Sequence, residues 1–261
     1  MTFVITEIQP ASTAAIEAPE PNSLVKPASR VAVVIGATSG IGRATAISLS
    51  DAGWQVVATG RRQDRLLEIQ EQHPKIQGMA LDPADRSQVQ LAFQQLGTQF
   101  GRIDLLVYAA GTNIPQRAWN QVSSEHWHEV LSVNLTGAYH CTQAVLPLMP
   151  APDGGVLIYI SSAAVQRPDA SGLAYQASKH GLVGLAQALR VETKSQGIRT
   201  TVIYPGLCDT EILTKRPTAT PVEIVQRALR PEDVAAAVLF VSQLPPRVYV
   251  PELPLVPAAL W

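Results

Sequence analysis

Charge is scarce in this 261-residue chain. Lysine, arginine, aspartate and glutamate together make up 16% of it, well under the usual quarter. So thin a charged shell predicts that further copies of the chain cover part of the surface. No sign dominates either. The formal net charge is −1, which argues against nucleic acid or an anionic membrane as a main partner. No apolar run approaches the ~18 residues of a membrane span. The N-terminal stretch MTFVITEIQPASTAAIEAPEP lacks a basic segment followed by an apolar core, so it does not read as a signal peptide. Cysteine is nearly absent. Cys141 and Cys208 cannot build a disulfide framework, and the default expectation is a reducing, cytoplasmic setting. His126, His128, His140 and His180 show no ligand spacing with a supporting carboxylate, so no metal is expected.

What the chain does have is apolar material: 46% hydrophobic residues over a length that suits one large domain. Residues 1–29 carry Pro10, Pro19, Pro21 and Pro27 without a sustained period and read as a flexible tail. From residue 30 to 261 a rhythm of strand and helix sets in. Val31–Ile35 is short, apolar and β-branched, as a strand buried on both faces would be. Helical spacing follows over Gly40–Ala52, then a strand over Trp54–Thr59 and a helix over Arg62–Gln72. Strands at Ile76–Leu81 and Ile103–Ala109 flank a helix at Ser87–Gln99. One long helix is expected over Ser124–Met149, then a strand at Gly155–Ile160, a helix at Tyr175–Lys194 and a strand at Ile198–Tyr204. Pro231 opens a last helix with Glu232 and Asp233 in its first turn. Arg247–Leu255 is extended, but Pro251 and Pro254 confine it to a sheet edge. Such alternation predicts a single α/β domain with a doubly wound parallel sheet, the Rossmann arrangement. A closed (β/α)8 barrel is the competing solution, and the first turn decides against it.

That turn reads Gly36-Ala-Thr-Ser-Gly40-Ile41-Gly42, between a strand and a helix. Glycines there let the backbone approach a pyrophosphate, whose charge would face the helix N-terminus. The blander meaning is a tight turn that merely needs glycine. The second strand ends Ala58-Thr59-Gly60-Arg61-Arg62, with no carboxylate to hold a ribose 2′-hydroxyl. NADP(H) is therefore expected, with Arg61 forked onto the 2′-phosphate and Thr38 and Ser39 as its hydroxyl partners. Arg62 serves equally well as the start of a solvated helix.

Tyr175-Gln-Ala-Ser-Lys179 sets a phenol and an ammonium one turn apart on a helix. That pattern arises easily by chance. It gains weight from Ser161 and Ser162, which follow the fifth strand at the sheet edge where open α/β sheets bind ligands. With these motifs the chain resembles the short-chain dehydrogenases/reductases, in their compact NADP-type branch, over roughly residues 30–255. The resemblance implies a catalytic set of Asn134, Ser162, Tyr175 and Lys179. It implies cofactor contacts from Gly36, Gly40, Ile41 and Gly42, from Asp82 beside the adenine, and from Ala110 and Gly111. Pro205, Gly206, Cys208 and Thr210 would lie near the nicotinamide, with Tyr175 and Lys179 on its ribose. In that scheme Ser162 holds the substrate oxygen, Tyr175 exchanges its proton, and Asn134 anchors a relay water.

Two departures stand out. Ile35 replaces the usual threonine before the first glycine, and Tyr108-Ala109 replaces two asparagines after the fourth strand. They question the rigidity of the adenosine pocket more than the chemistry. The function implied is NADP(H)-dependent interconversion of a carbonyl and a secondary alcohol. The C-terminal end points weakly to small 3-hydroxy acids or related alcohols, with Asn113, Ala163, Gln166, Leu173, Leu207 and Leu213 shaping the pocket. A non-catalytic NADP(H) sensor or scaffold is the alternative; it expects the tyrosine or lysine to be lost, and neither is. Small residues Ala177, Gly181, Gly184 and Ala188 along the Tyr175 helix would admit a second helix, so a homodimer or homotetramer is expected.

Overall fold

The computed structural model describes residues 30–150 and 154–260. The tail expected over 1–29 lies outside the described residues. Seven strands form one parallel sheet in the order β3-β2-β1-β4-β5-β6-β7. They are β1 (Val31–Ile35), β2 (Gln55–Gly60), β3 (Ile76–Ala80), β4 (Leu105–Tyr108), β5 (Val156–Ile160), β6 (Arg199–Pro205) and β7 (Glu252–Leu255). The doubly wound sheet is as the sequence predicts. So is the edge position of the proline-bearing β7, which pairs only with β6.

The inner strands are apolar because both faces are covered. Val33, Ile35, Leu106, Tyr108, Leu157 and Tyr159 fill one face. It is roofed by α3 (Arg86–Phe100), α5 (Gly137–Val145) and α6 (Leu173–Glu192). Ala32, Val34, Val56, Ala58, Leu105, Val107 and Ile158 fill the other. There α1 (Gly40–Asp51) and α2 (Gln63–Gln72) cover the sheet, together with a helix near the C-terminus.

Strand register aligns the carboxyl ends. Ile35 stands opposite both Thr59 of β2 and Tyr108 of β4, and Ile160 opposite Ile203 of β6. The strand order reverses between β1 and β4, which opens a crevice at that edge. A long excursion follows β6. Its base is closed by the Cys208–Leu229 bridge, where Leu229 N–H donates to Leu207 O at 2.9 Å and Asp209 N–H to Leu229 O at 2.8 Å. Between these ends lie a 3-10 turn at Glu211–Lys215 and the short helix α7 (Val222–Val225). Then α8 (Pro231–Gln243), opened by proline as expected, returns beneath the sheet.

The helical stretch expected over Ser124–Met149 runs unbroken from Ser124 to Leu148, but not as one α-helix. It consists of α4 (Ser124–Leu131), a π-helical turn (Ser132–Thr136), α5 and a closing 3-10 turn. One inserted residue shifts the face of everything beyond it, and apolar spacing alone does not reveal that. The Tyr108 departure meets this stretch at its π turn. The Tyr108 side chain is fully buried and its phenol donates to the carbonyl of Val133 inside the π turn. The side-chain hydrogen bonding expected to be lost at this position is thus replaced by a longer donor that reaches the next helix. The π turn places Asn134 inward, with no exposed surface.

Candidate active site

One cavity of about 630 Å³ runs along the carboxyl edge of the sheet. All the expected cofactor-side residues, from Gly36 to Thr210, line it. Its first end is the β1–α1 turn. A β-carbon on Gly42 would sit 2.1 Å from the Gly36 carbonyl oxygen, and one on Gly36 would strike the Ala110 backbone at 2.6 Å. Only glycine lets these segments close so tightly. The N-terminus of α1 is electrostatically open. Ser39 caps it without a side-chain hydrogen bond, and its first turn holds no acid. By contrast Asp85 caps α3 fully, accepting from the N–H groups of Ser87 and Gln88. An uncapped helix start above a glycine cradle fits a pyrophosphate.

At the end of β2 the two arginines part ways. The hydroxyl partners expected for Arg61 belong to Arg62. Its Nε and Nη2 donate to Thr38 Oγ1 at 3.2 and 3.0 Å, and Nη2 to Ser39 Oγ at 2.7 Å. Its Nη1 donates to Glu211 Oε2 at 2.7 Å, and that pairing holds the Glu211 carboxyl below its usual range. Arg61 points the other way, 63% exposed, 3.8 Å from Asp82. The physical reason is position: Gly60 ends the strand, and Arg62 is the N-cap of α2, turned back over the glycine loop. Asp82 itself accepts from the Ala84 N–H at 3.0 Å.

The other end of the cavity carries the candidate chemistry. Ser161 and Ser162 both line the cavity, but the Ser161 hydroxyl is spent on Lys179 O at 3.2 Å, whereas Ser162 caps a 3-10 turn. Tyr175 and Lys179 lie one turn apart on α6, and the ammonium sits 5.7 Å from the phenol ring centre. Lys179 is buried, with Nζ donating to Ile160 O at 2.8 Å, and this burial pulls its pKa down to about 8. Burial pushes the Tyr175 phenol up. A hydrogen bond with Ser162 opposes that, Asp169 adds to it, and the fields of Arg117 and Arg216 oppose it. Such a group is a proton donor at neutral pH.

Asn134 stands behind the cavity wall rather than in it. Its Nδ2 donates to Thr112 O at 3.0 Å and to Ser178 Oγ at 2.9 Å, and its Oδ1 accepts from Thr112 N–H at 2.7 Å. Both amide protons are therefore spent on protein. The side chain clamps the loop after β4 to α6, because Ser178 in turn donates to Tyr175 O at 2.8 Å. A water relay would have to use other atoms than this amide.

Cys208 and Thr210 lie at the root of the β6 excursion. Burial raises the Cys208 thiol to about 12, so it stays protonated. Of the residues expected to shape the substrate end, Asn113, Ala163, Leu207 and Leu213 line the cavity, and Gln166 and Leu173 do not. Four cations there were not foreseen: Arg117, Arg167, Lys215 and Arg216. Arg117 and Arg167 lie singly in loops without a period, so the only sequence signal is the adjacent Lys215-Arg216 pair after the Pro205-Gly206 turn. No group of His, Cys, Asp or Glu among the described residues could hold a metal ion.

Comparisons with known proteins agree with this geometry. The family model for short chain dehydrogenases matches residues 30–220. Sulfoacetaldehyde reductase 2 of Chromohalobacter salexigens is 32% identical over 238 residues, covering 88% of this chain and 94% of that protein. Serine 3-dehydrogenase of Agrobacterium fabrum is 30% identical over 231 residues, covering 86% and 92%. Among solved structures, the closed form of a serine dehydrogenase complexed with NADP+ superposes with a TM-score of 0.82. It is 32% identical and covers 88% of this chain and 95% of that one.

Proposed function

The chain belongs to the short-chain dehydrogenase/reductase family, and we propose that it interconverts a carbonyl and a secondary alcohol with NADP(H), using Ser162, Tyr175 and Lys179. It is an oxidoreductase on the strength of that membership. The observation that carries the catalytic assignment is a convergence. The Ser162 hydroxyl, the Tyr175 phenol and the buried Lys179 ammonium line one cavity whose far end is the glycine cradle. The cradle, the open start of α1 and the acid-free end of β2 would hold NADP(H), which supplies or takes up the hydride when bound.

The chain's own residues do the rest. Ser162 donates to the substrate oxygen and fixes it at the phenol. In reduction Tyr175 gives that oxygen its proton; in oxidation it takes the proton back. A free phenol, with a pKa near 10, is a poor base at pH 7. Lys179 lies within one turn and favours the tyrosinate by its charge. Asn134 keeps Thr112 and α6 in fixed relation, and so positions Tyr175 without touching substrate.

The same reading covers setting and assembly. Both cysteines are buried free thiols, which suits a reducing cytoplasm. No helix among the described residues is long and apolar enough to cross a membrane. On α6, Gly181 serves the subunit's own packing, since a β-carbon there would meet Leu135 at 2.7 Å. Ala177, Gly184 and Ala188 are exposed, with Val191 78% exposed on the same face. That face supports a homodimer or homotetramer through α6. The test of function is oxidation of NADPH by the full chain across a panel of aldehydes and ketones. Turnover is expected; NADPH binding without turnover on any of them would leave a sensor or scaffold.

A further inference from the structure

The excursion after β6 covers one end of the cavity as a lid, and this end holds more positive charge than its own residues neutralise. Arg117 bridges two loops: its Nε donates to Ile114 O at 3.2 Å and its Nη2 to Lys215 O at 2.6 Å. Its stem is pressed onto the chain just before α6. A β-carbon on Gly172, whose φ is +95°, would lie 2.5 Å from the Arg117 β-carbon. Arg117 is thereby held within a turn of Tyr175. Lys215 Nζ donates to Thr112 Oγ1 at 2.8 Å, and Arg216 Nη1 to Thr220 Oγ1 at 3.1 Å. All three residues line the cavity and are half-buried.

Among the described residues, none of these three has a carboxylate within 4.0 Å. The nucleotide end differs, because Arg61 has Asp82 and Arg62 has Glu211. Burial and the neighbouring Arg216 both work against the charge on Arg117, and Asp169 relieves it only in part. Clustered, partly desolvated guanidinium groups without an anion are costly. They match the planar oxygens of a carboxylate or the oxygens of a sulfonate.

We propose that Arg117, Lys215 and Arg216 form an anion subsite, and that the substrate is a small carbonyl compound carrying a carboxylate or sulfonate. The proposal rests on the reading of Tyr175 as the proton donor to a carbonyl oxygen. With the anion on the lid, the oxo group is presented to Ser162 and Tyr175. With NADPH bound, its hydride would form the new C–H bond as the C=O π bond breaks; Tyr175 gives its proton to the oxygen and regains one from solvent, leaving NADP+ and a hydroxy carboxylate or hydroxy sulfonate.

The test uses the full chain with NADPH and a series of oxo carboxylates and oxo sulfonates of two to five carbons, with the ketones that give secondary alcohols included beside the aldehydes. Each carboxylate is paired with its methyl ester and each sulfonate with its neutral sulfone. The acids are expected to exceed their neutral partners in kcat/KM by about 10–150-fold, the factor a hydrogen bond to a charged group is worth. The difference should lie mainly in KM and shrink as salt is raised. In Arg216→Gln and in the Lys215→Gln, Arg216→Gln double variant the acid-to-neutral ratio should collapse towards one. Neutral partners turning over as well as the acids would overturn the subsite and leave carbonyl reduction standing. An acid preference that survives the double variant would overturn the residue assignment. No NADPH oxidation with any member of either series would overturn carbonyl reduction and this proposal with it.

Discussion

Replacing Arg61 by alanine separates the two arginines that end β2. Arg61 is the more exposed and, among the described residues, is paired with Asp82 alone, 3.8 Å away. Releasing so loose a surface pair costs about 0–1 kcal/mol. A hydrogen bond to a charged phosphate is worth roughly 1.5–3 kcal/mol, so most of that gain survives. Arg61→Ala should therefore weaken NADPH binding by about 10–150-fold, while NADH, which has no 2′-phosphate, changes little. Arg62 is already committed to Thr38, Ser39 and Glu211. To reach a phosphate it must give up a 2.7 Å ion pair. Arg62→Ala should accordingly cost less than Arg61→Ala, and part of its cost should come from leaving Glu211 unpaired beside the phosphate. Glu211→Gln should recover that part when combined with it. The assay is a titration of each variant with NADPH and with NADH, following nicotinamide fluorescence at fixed salt. Equal losses for both cofactors in Arg61→Ala, or a wild-type preference for NADH, would refute the reasoning.

Other outcomes follow from the same structure. Tyr108→Phe removes the buried donor to the Val133 carbonyl and should cost about 1–3 kcal/mol. A melting temperature lower by roughly 2–12 °C is expected, and an unchanged one would contradict the strut. The pH profile has a definite sign. Burial keeps the Tyr175 phenol protonated at neutral pH, so reduction should run well at pH 7 while kcat/KM for alcohol oxidation climbs with pH. Lys179→Met should slow oxidation most near pH 7, where the ammonium is still charged beside the phenol; oxidation fastest near pH 6 would contradict the Tyr175 assignment. Light scattering at micromolar concentration should give at least twice the chain mass, and Gly184→Arg should lower it. A monomeric wild type would reject assembly through α6.

The sheet was legible because strands covered on both faces must be apolar from end to end. Val31–Ile35 and Val156–Ile160 announce themselves in that way. The glycine cradle was legible because its spacing is fixed by backbone contact rather than by side-chain chemistry. The π turn at Ser132–Thr136 was not, since one inserted residue leaves no mark on the apolar spacing. The division of labour between Arg61 and Arg62 was hidden as well. Adjacent residues at a strand end diverge according to where the next helix is capped, and Arg62 turned out to be that cap. Asn134 was found by its motif, but its saturation by Thr112 and Ser178 depends on contacts far apart in the chain. The cations of the lid left almost no trace, because a loop held by its ends carries no period to read.

The central claim is that Tyr175 is the group that passes the proton while the cradle holds NADP(H) independently of it. Tyr175→Phe removes one oxygen and nothing else. Measured on the best carbonyl substrate, kcat should fall by about 10²–10⁴-fold, the worth of a positioned general acid, while the dissociation constant for NADPH stays within a few-fold of wild type. A variant that keeps near-wild-type turnover would contradict the account at its centre.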